Sequence, residues 1–178
     1  MRRLPGDLSE EEEVKRMIRV DHAGEYGALR IYAGQLAVMK PSPQRKMVEH
    51  MLEQEKKHFQ HFETLMRERG VRHTALMPLW KIAGFTLGAA TALMGTKAAF
   101  ACTIAVESTI EQHYREQKNR LGEKETALAE TLETFRAEEV EHHDTSIAQG
   151  GQHTPLYPAL SALIKRGSKL AIWLSTRV

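Results

Sequence analysis

The chain has a single cysteine, six prolines and few aromatic residues. It also has no apolar run long enough to cross a bilayer. One cysteine excludes an internal disulfide framework and suits a reducing compartment. Cys102 sits in the apolar run 98–106, where a thiol is expected to serve as a small core residue. Scarce proline beside plentiful Ala, Leu, Met, Glu, Lys and Arg favours helices with charged outer faces and leaves strands almost no support. An excess charge of one sign is lacking too: 25 basic against 23 acidic side chains give +2, so no nucleic-acid partner is expected.

The most apolar region, 76–106, is broken by Pro78, Lys81, Lys97 and glycines, and its longest charge-free stretch is 82–96. That is short of the roughly 20 residues a spanning helix needs, but it does not prevent lying against a membrane surface. The first residues run directly into acidic Glu10 to Glu13 without a signal-like apolar stretch, so a cytosolic chain is expected. No Gly-x-Gly-x-x-Gly loop is found, and a dedicated nucleotide domain is not expected.

The 178 residues fit one helical domain, 1–178. Ser9 and Glu12 form a capping box ahead of an apolar stripe through Val14, Ile18, Leu29, Tyr32 and Leu36, which Pro41 and Pro43 end. A second stripe, Val48, Leu52, Phe59, Phe62 and Leu65, stops at Gly70 after Arg67 and Arg69. Residues 71–95 read as a small-residue connector holding one close-packed helix. Two further helices are predicted over 97–120 and 127–148, and a closing amphipathic helix from 159 to about 175. The expected architecture is all-α: a ferritin-like four-helix bundle with additional connecting and C-terminal helices.

The chain carries a coarse internal repeat. Glu25 is followed 30 residues later by Glu55-x-x-His58, and Glu107 is followed 32 residues later by Glu139-x-x-His142. A Glu and a His three apart share a helix face, separated by about 4.5 Å along the axis, so both can reach one ion. Chance alone supplies about one Glu-x-x-His in a chain of this composition, so the motif is weak by itself. Registration with the core stripes strengthens it: Ile18, Asp21, Glu25, Leu29 and Phe100, Thr103, Glu107, Ile110 step by three and four, as do the residues around Glu55 and Glu139. Four ionised carboxylates at core positions are costly unless divalent ions neutralise them. Carboxylates with imidazoles suit iron better than magnesium or calcium. Glu25, Glu55, His58, Glu107, Glu139 and His142 are therefore the candidate ligands of two ions, with Glu53, Glu111, Glu138 and Glu141 as competitors if the helix phases are off by one. Asp21 and Asp144 are candidates to fix the ligand imidazoles from outside. His22, His113, Tyr26, Tyr32 and Tyr114 could border the cavity or simply pack.

Several blocks carry a more specific likeness. Val20-Asp21-His22-Ala23-Gly24-Glu25-Tyr26-Gly27-Ala28, Glu53-Gln54-Glu55-Lys56-Lys57-His58, Pro78-Leu79-Trp80, Ala101-Cys102-Thr103 and Glu138-Glu139-Val140-Glu141-His142-His143-Asp144 resemble the demethoxyubiquinone hydroxylase family. The likeness extends over nearly the whole chain from Val14, with Ser108 replacing a second Glu found in many members. It implies two irons per chain on the same six residues, and a role for His113-Tyr114 in electron or proton transfer. It also implies O2-dependent hydroxylation of demethoxyubiquinol, with NADH as an external electron donor.

The isoprenoid substrate that the resemblance implies, together with the apolar 76–94 and C-terminal segments, points to peripheral attachment. The expected place is the cytoplasmic side of a bacterial inner membrane. A lipid-binding or quinone-biosynthesis protein, or a second copy, could be a partner. The alternatives are a ferritin-like iron-binding or storage protein, which uses much the same ligand set, and a non-catalytic helical adaptor at a membrane surface, in which the acids are solvated and the repeat is accidental.

Overall fold

The computed structural model describes residues 8–178, so the N-terminal residues on which the reading of a leader rests lie outside the described residues. Six α-helices are present among the described residues: α1 (Glu10–Val38), α2 (Pro43–Arg69), α3 (Met77–Leu93), α4 (Thr96–Arg120), α5 (Thr126–Ala148) and α6 (Tyr157–Ser175). Helices α1, α2, α4 and α5 form the ferritin-like bundle, while α3 packs along α1 and α6 along α4.

Local chemistry sets the helix ends. The Ser9 hydroxyl accepts from the Glu12 amide at 3.1 Å and Glu12 Oε2 accepts from the Ser9 amide at 3.0 Å, so the capping box starts α1. Ser42 caps α2 by accepting from the Arg45 amide at 3.1 Å, and Pro43 occupies the first turn, where its missing N–H costs nothing. Gly70, at φ 62°, ends α2 in the left-handed region that glycine enters without a Cβ clash.

Two features of the packing differ from the stripes read off the sequence. In α2 the fully buried line is Val48, Met51, Glu55, His58, Phe62 and Met66, while Leu52, Phe59 and Leu65 are only half-buried. Leu29 and Leu36 of α1 are displaced to the edge in the same way. The polar residues themselves occupy the centre of the core line, and the large apolar residues flank it. Second, α4 is buried on all sides from Ala98 to Glu107, which makes it the central helix of the protein. Cys102 lies within it, and burial pushes its thiol up to about 12, as suits a core residue.

The connector helix α3 meets α1 through glycine. A Cβ on Gly88 would stand 1.9 Å from the Ile31 carbonyl oxygen, and one on Gly34 2.1 Å from that of Phe85. The two backbones are therefore nearly in contact. Trp80 of α3 donates its indole N–H to Ser175 Oγ at 2.9 Å, joining the start of α3 to the end of α6.

Candidate metal centre

Each bundle helix contributes to a buried polar cluster midway along its length. Glu25 comes from α1, Glu55 and His58 from α2, Glu107 from α4, and Glu139 and His142 from α5; all six are almost wholly buried. Their atoms converge as two groups. One ligand atom each from Glu25, Glu55, His58 and Glu139 lies within 4.8 Å of the others, and so does one each from Glu55, Glu107, Glu139 and His142. Glu55 and Glu139 belong to both groups.

The imidazoles present Nδ1 to these carboxylates. His58 Nδ1 stands 3.3 Å from Glu139 and 3.5 Å from Glu25, and His142 Nδ1 stands 3.2 Å from Glu55 and 3.5 Å from Glu139. Both Nδ1 atoms, both oxygens of Glu55 and of Glu139, and one oxygen each of Glu25 and Glu107 are buried without a hydrogen-bond partner. Eight orphaned polar atoms in one interior are a large cost in a protein that satisfies almost all its buried polar groups. Four carboxylates and two imidazoles facing inward fit two divalent ions, whose charge the four carboxylates balance.

The surroundings repeat in the two halves of the chain. Tyr32, seven residues after Glu25, donates to Glu107 Oε1 at 2.6 Å, and Tyr114, seven residues after Glu107, donates to Glu25 Oε1. Each unshared glutamate thus has one oxygen tied to a tyrosine and the other left inward. His58 donates its outer Nε2–H to Glu138 Oε2, and His142 donates its own to Gln54 Oε1 at 3.1 Å. Glu138 and Gln54 each directly precede the glutamate of the opposite Glu-x-x-His. These acceptors fix the tautomers that leave Nδ1 free to ligate.

The structure therefore corrects the reading of the aspartates. Asp144 is exposed and bonds the adjacent His143 at 2.9 Å, touching neither ligand imidazole, because its position turns it off the buried face of α5. Asp21 is buried, but it accepts from Gln117 Nε2 at 2.8 Å and lies 3.2 Å from His113 Nε2. Burial raises its pKa, against the hydrogen bonds from His113 and Gln117. Among the competing acids, Glu53 pairs with Lys56 at the surface, Glu111 with Arg136, and Glu141 is exposed. Only Glu138 takes part, as the acceptor for His58. Tyr26 packs against Phe59, and His22 turns toward Glu63 and away from the two groups.

The sequence reading missed Glu138 and Gln54 as orienting residues and Tyr32 as a carboxylate donor. The signal was present in the repeat: one 82-residue step carries Glu25, Tyr32 and Gln35 to Glu107, Tyr114 and Gln117.

Electrostatics follow the crowding. Burial, then the neighbouring Glu55 charge, drives Glu25 well above the carboxylate range; burial, then Glu139, does the same to Glu107. Burial opposes the charge on Glu139, yet the close His142 and His58 imidazoles hold it to about 2. Burial also opposes the imidazolium forms, but contacts with Glu139 and its fellow carboxylates raise His58 to about 12 and His142 to about 9. A cleft of about 390 Å³ lined by Met51, Gln54, Glu141 and His142, among others, opens beside this cluster.

The family described as ubiquinone biosynthesis protein COQ7 matches residues 12–175. The chain belongs to this family.

Similar COQ7-type proteins span both bacteria and mitochondria. The 3-demethoxyubiquinol 3-hydroxylase of Rhodospirillum rubrum is 52% identical over 177 residues, 99% of this chain and 84% of the relative. The mitochondrial NADPH-dependent 3-demethoxyubiquinone 3-hydroxylase of Homo sapiens is 47% identical over 169 residues, 93% of this chain and 78% of the relative. The mitochondrial 5-demethoxyubiquinone hydroxylase of Saccharomyces cerevisiae is 39% identical over 180 residues, 92% of this chain and 77% of the relative. With the two shared-carboxylate groups, membership makes this COQ7-family chain a di-iron monooxygenase of ubiquinone biosynthesis.

Proposed function

We propose that the chain, as one ferritin-like domain, hydroxylates the ring of demethoxyubiquinol with O2 at the cluster described. The sharing of Glu55 and Glu139 between two four-residue groups carries this reading. Glu25 and His58 would help to hold one iron and Glu107 and His142 the other, while Glu55 and Glu139, which belong to both groups, would serve either. When bound and reduced, the iron pair supplies activation of O2 and transfer of one oxygen atom to the electron-rich ring.

The protein's own residues prepare that step. Tyr32 and Tyr114 pin the outer oxygens of Glu107 and Glu25, and Glu138 and Gln54 hold the imidazoles in register. Phe62, Leu132, Val106 and Ile110 close the interior around them and exclude water. His113, 19% exposed, joins the surface to buried Asp21, and Tyr114 beside it touches Glu25. His113 and Tyr114 are the proposed route for protons and electrons to the centre. A reduced nicotinamide nucleotide is the proposed external donor. The family resemblance implies NADH, whereas the name of the human relative specifies NADPH, so both belong in the assay.

The test is anaerobic reduction of iron-loaded protein, followed by O2 and a short-chain demethoxyubiquinol. The expected result is about two irons per chain and the ring-hydroxylated quinol. Oxygen consumption by loaded protein without that product would refute the hydroxylase reading.

Attachment to the cytoplasmic side of a bacterial inner membrane is also proposed, with a second copy or a lipid-binding quinone-biosynthesis protein as a further partner. Among the described residues no helix is long and apolar enough to cross a membrane. Yet Leu79, Ile82 and Phe85 of α3 and Leu163, Leu170 and Trp173 of α6 are exposed, and Trp80 and Ser175 tie the two helices together. Isolated exposed leucines are unremarkable, but this density on two adjoining helices suits insertion among lipid headgroups. Within α6, Ile164 is a core residue at 4% exposure, and Leu163 takes the outward position. Flotation with anionic vesicles should succeed for the intact protein and fall several-fold for Trp173→Ser with Leu170→Ser. High salt should weaken it without abolishing it, because screening acts only on Lys165, Arg166, Lys169 and Arg177. Absence of flotation at low salt would remove the docking proposal.

A further inference from the structure

Outside the iron cluster, a second set of metal-ligating side chains converges where α1, α2 and the connector to α3 meet. His22 of α1 has no exposed surface, and its Nε2 lies 2.6 Å from Glu63 Oε1 on α2. His73, in the connector, places its own Nε2 3.2 Å from the same oxygen. The two imidazoles lie face to face, with centroids 4.7 Å apart and planes inclined by 16°. Ligand atoms of the three residues all fall within 4.8 Å of one another.

We infer that His22, Glu63 and His73 form a binding site for a divalent transition-metal ion, zinc by its donor set, separate from the iron pair. Two imidazoles and one carboxylate make a three-residue zinc set that leaves a fourth position for water. Tetrahedral zinc, with bonds of about 2.0–2.2 Å, holds its ligand atoms roughly 3.3 Å apart. The Glu63–His73 separation already matches, and Glu63, on the surface of α2 at 27% exposure, needs only a small outward shift to suit His22. His73 is 55% exposed, so its ring has room to tilt into the ligating plane and the water position faces solvent.

With the His22 proton on Nδ1, the Nε2 lone pair faces the Glu63 carboxylate, an arrangement that a cation between them turns from repulsive to favourable. Burial lowers the His22 pKa against the pull of Glu63, which favours the neutral, ligating form. Partial burial pushes the Glu63 carboxyl up, but His22 and His73 together hold it below the ordinary carboxylate value.

The ligands span three elements, which gives the ion a structural role. The connector is otherwise held near this point by the Arg19 guanidinium, which donates to the Arg72 carbonyl at 3.0 Å. An ion on His73 would clamp the neighbouring residue to α1 and α2 and set where the chain enters α3.

The experiment uses the full-length, iron-loaded protein. It is mixed with one equivalent of Zn²⁺, desalted and assayed for both metals, with Co²⁺ as a visible-absorption probe of tetrahedral nitrogen and oxygen ligation. The expected result is one zinc gained with the iron count unchanged. His73→Ala and Glu63→Gln should each weaken zinc binding at least tenfold while keeping the irons. His73→Ala lies on an exposed connector, so its folding is not at risk. Zinc should also slow trypsin cleavage after Arg72 several-fold in the intact protein and not in His73→Ala. No zinc uptake, uptake matched by loss of iron, or equal uptake by His73→Ala would each overturn the assignment.

Discussion

Glu139→Ala should lose both irons, whereas Glu107→Ala should lose mainly the ion nearer His142. The difference follows from the sharing of Glu139 between the two groups, while Glu107 enters only one. Removing an outer partner of a metal ligand already costs 10–100-fold in affinity, so loss of a shared ligand should cost roughly 100-fold or more for each ion. Product formation should fall below detection in Glu139→Ala. The companion variant Glu138→Gln keeps an acceptor oxygen for His58 Nε2 and should retain both irons, with affinity reduced by about tenfold or less. Iron quantitation after desalting, with circular dichroism to confirm helicity, separates these outcomes. Equal iron in Glu139→Ala and wild type would show that the carboxylate is not shared between ions.

Gly88→Ala should be the most destabilising single methyl that can be added to this protein's glycines on α3. Its Cβ would lie 1.9 Å from the Ile31 carbonyl oxygen, 2.8 Å from that carbonyl carbon and 3.0 Å from the Gln35 amide nitrogen. All three are backbone atoms of α1, so no side chain can rotate aside and the helices must separate. Overpacking of this kind costs about 3 kcal/mol, near the top of its usual range. For a chain of this size, that lowers the unfolding midpoint by roughly 6–12 °C. Gly24→Ala provides the opposite sign within α1: nothing lies within 4 Å of its Cβ. There the gain in helix propensity should stabilise by up to about 1 kcal/mol, or roughly 2–4 °C. Thermal unfolding of the two variants checks both signs, and equal midpoints would contradict the close α1–α3 approach.

The amino-acid sequence by itself determined the elements and much of the polar interior. Capping by Ser9 and Glu12, the Pro41–Pro43 break and the Gly70 stop are interactions within a few residues, so the helix ends were legible. The spacing that selected Glu25, Glu55, His58, Glu107, Glu139 and His142 is local too, since residues three and four apart share a face whatever the helix packs against. Tertiary structure alone decided which carboxylates belong to both groups, because that depends on how four separate helices are rotated about their axes. It also decided that Glu138 and Gln54 receive the imidazole protons across 80 and 88 residues of chain, and that Asp144 faces solvent. The convergence of His22, Glu63 and His73 has the same origin. The first and last lie 51 positions apart in sequence, and only the fold of the connector against α1 brings their rings into contact.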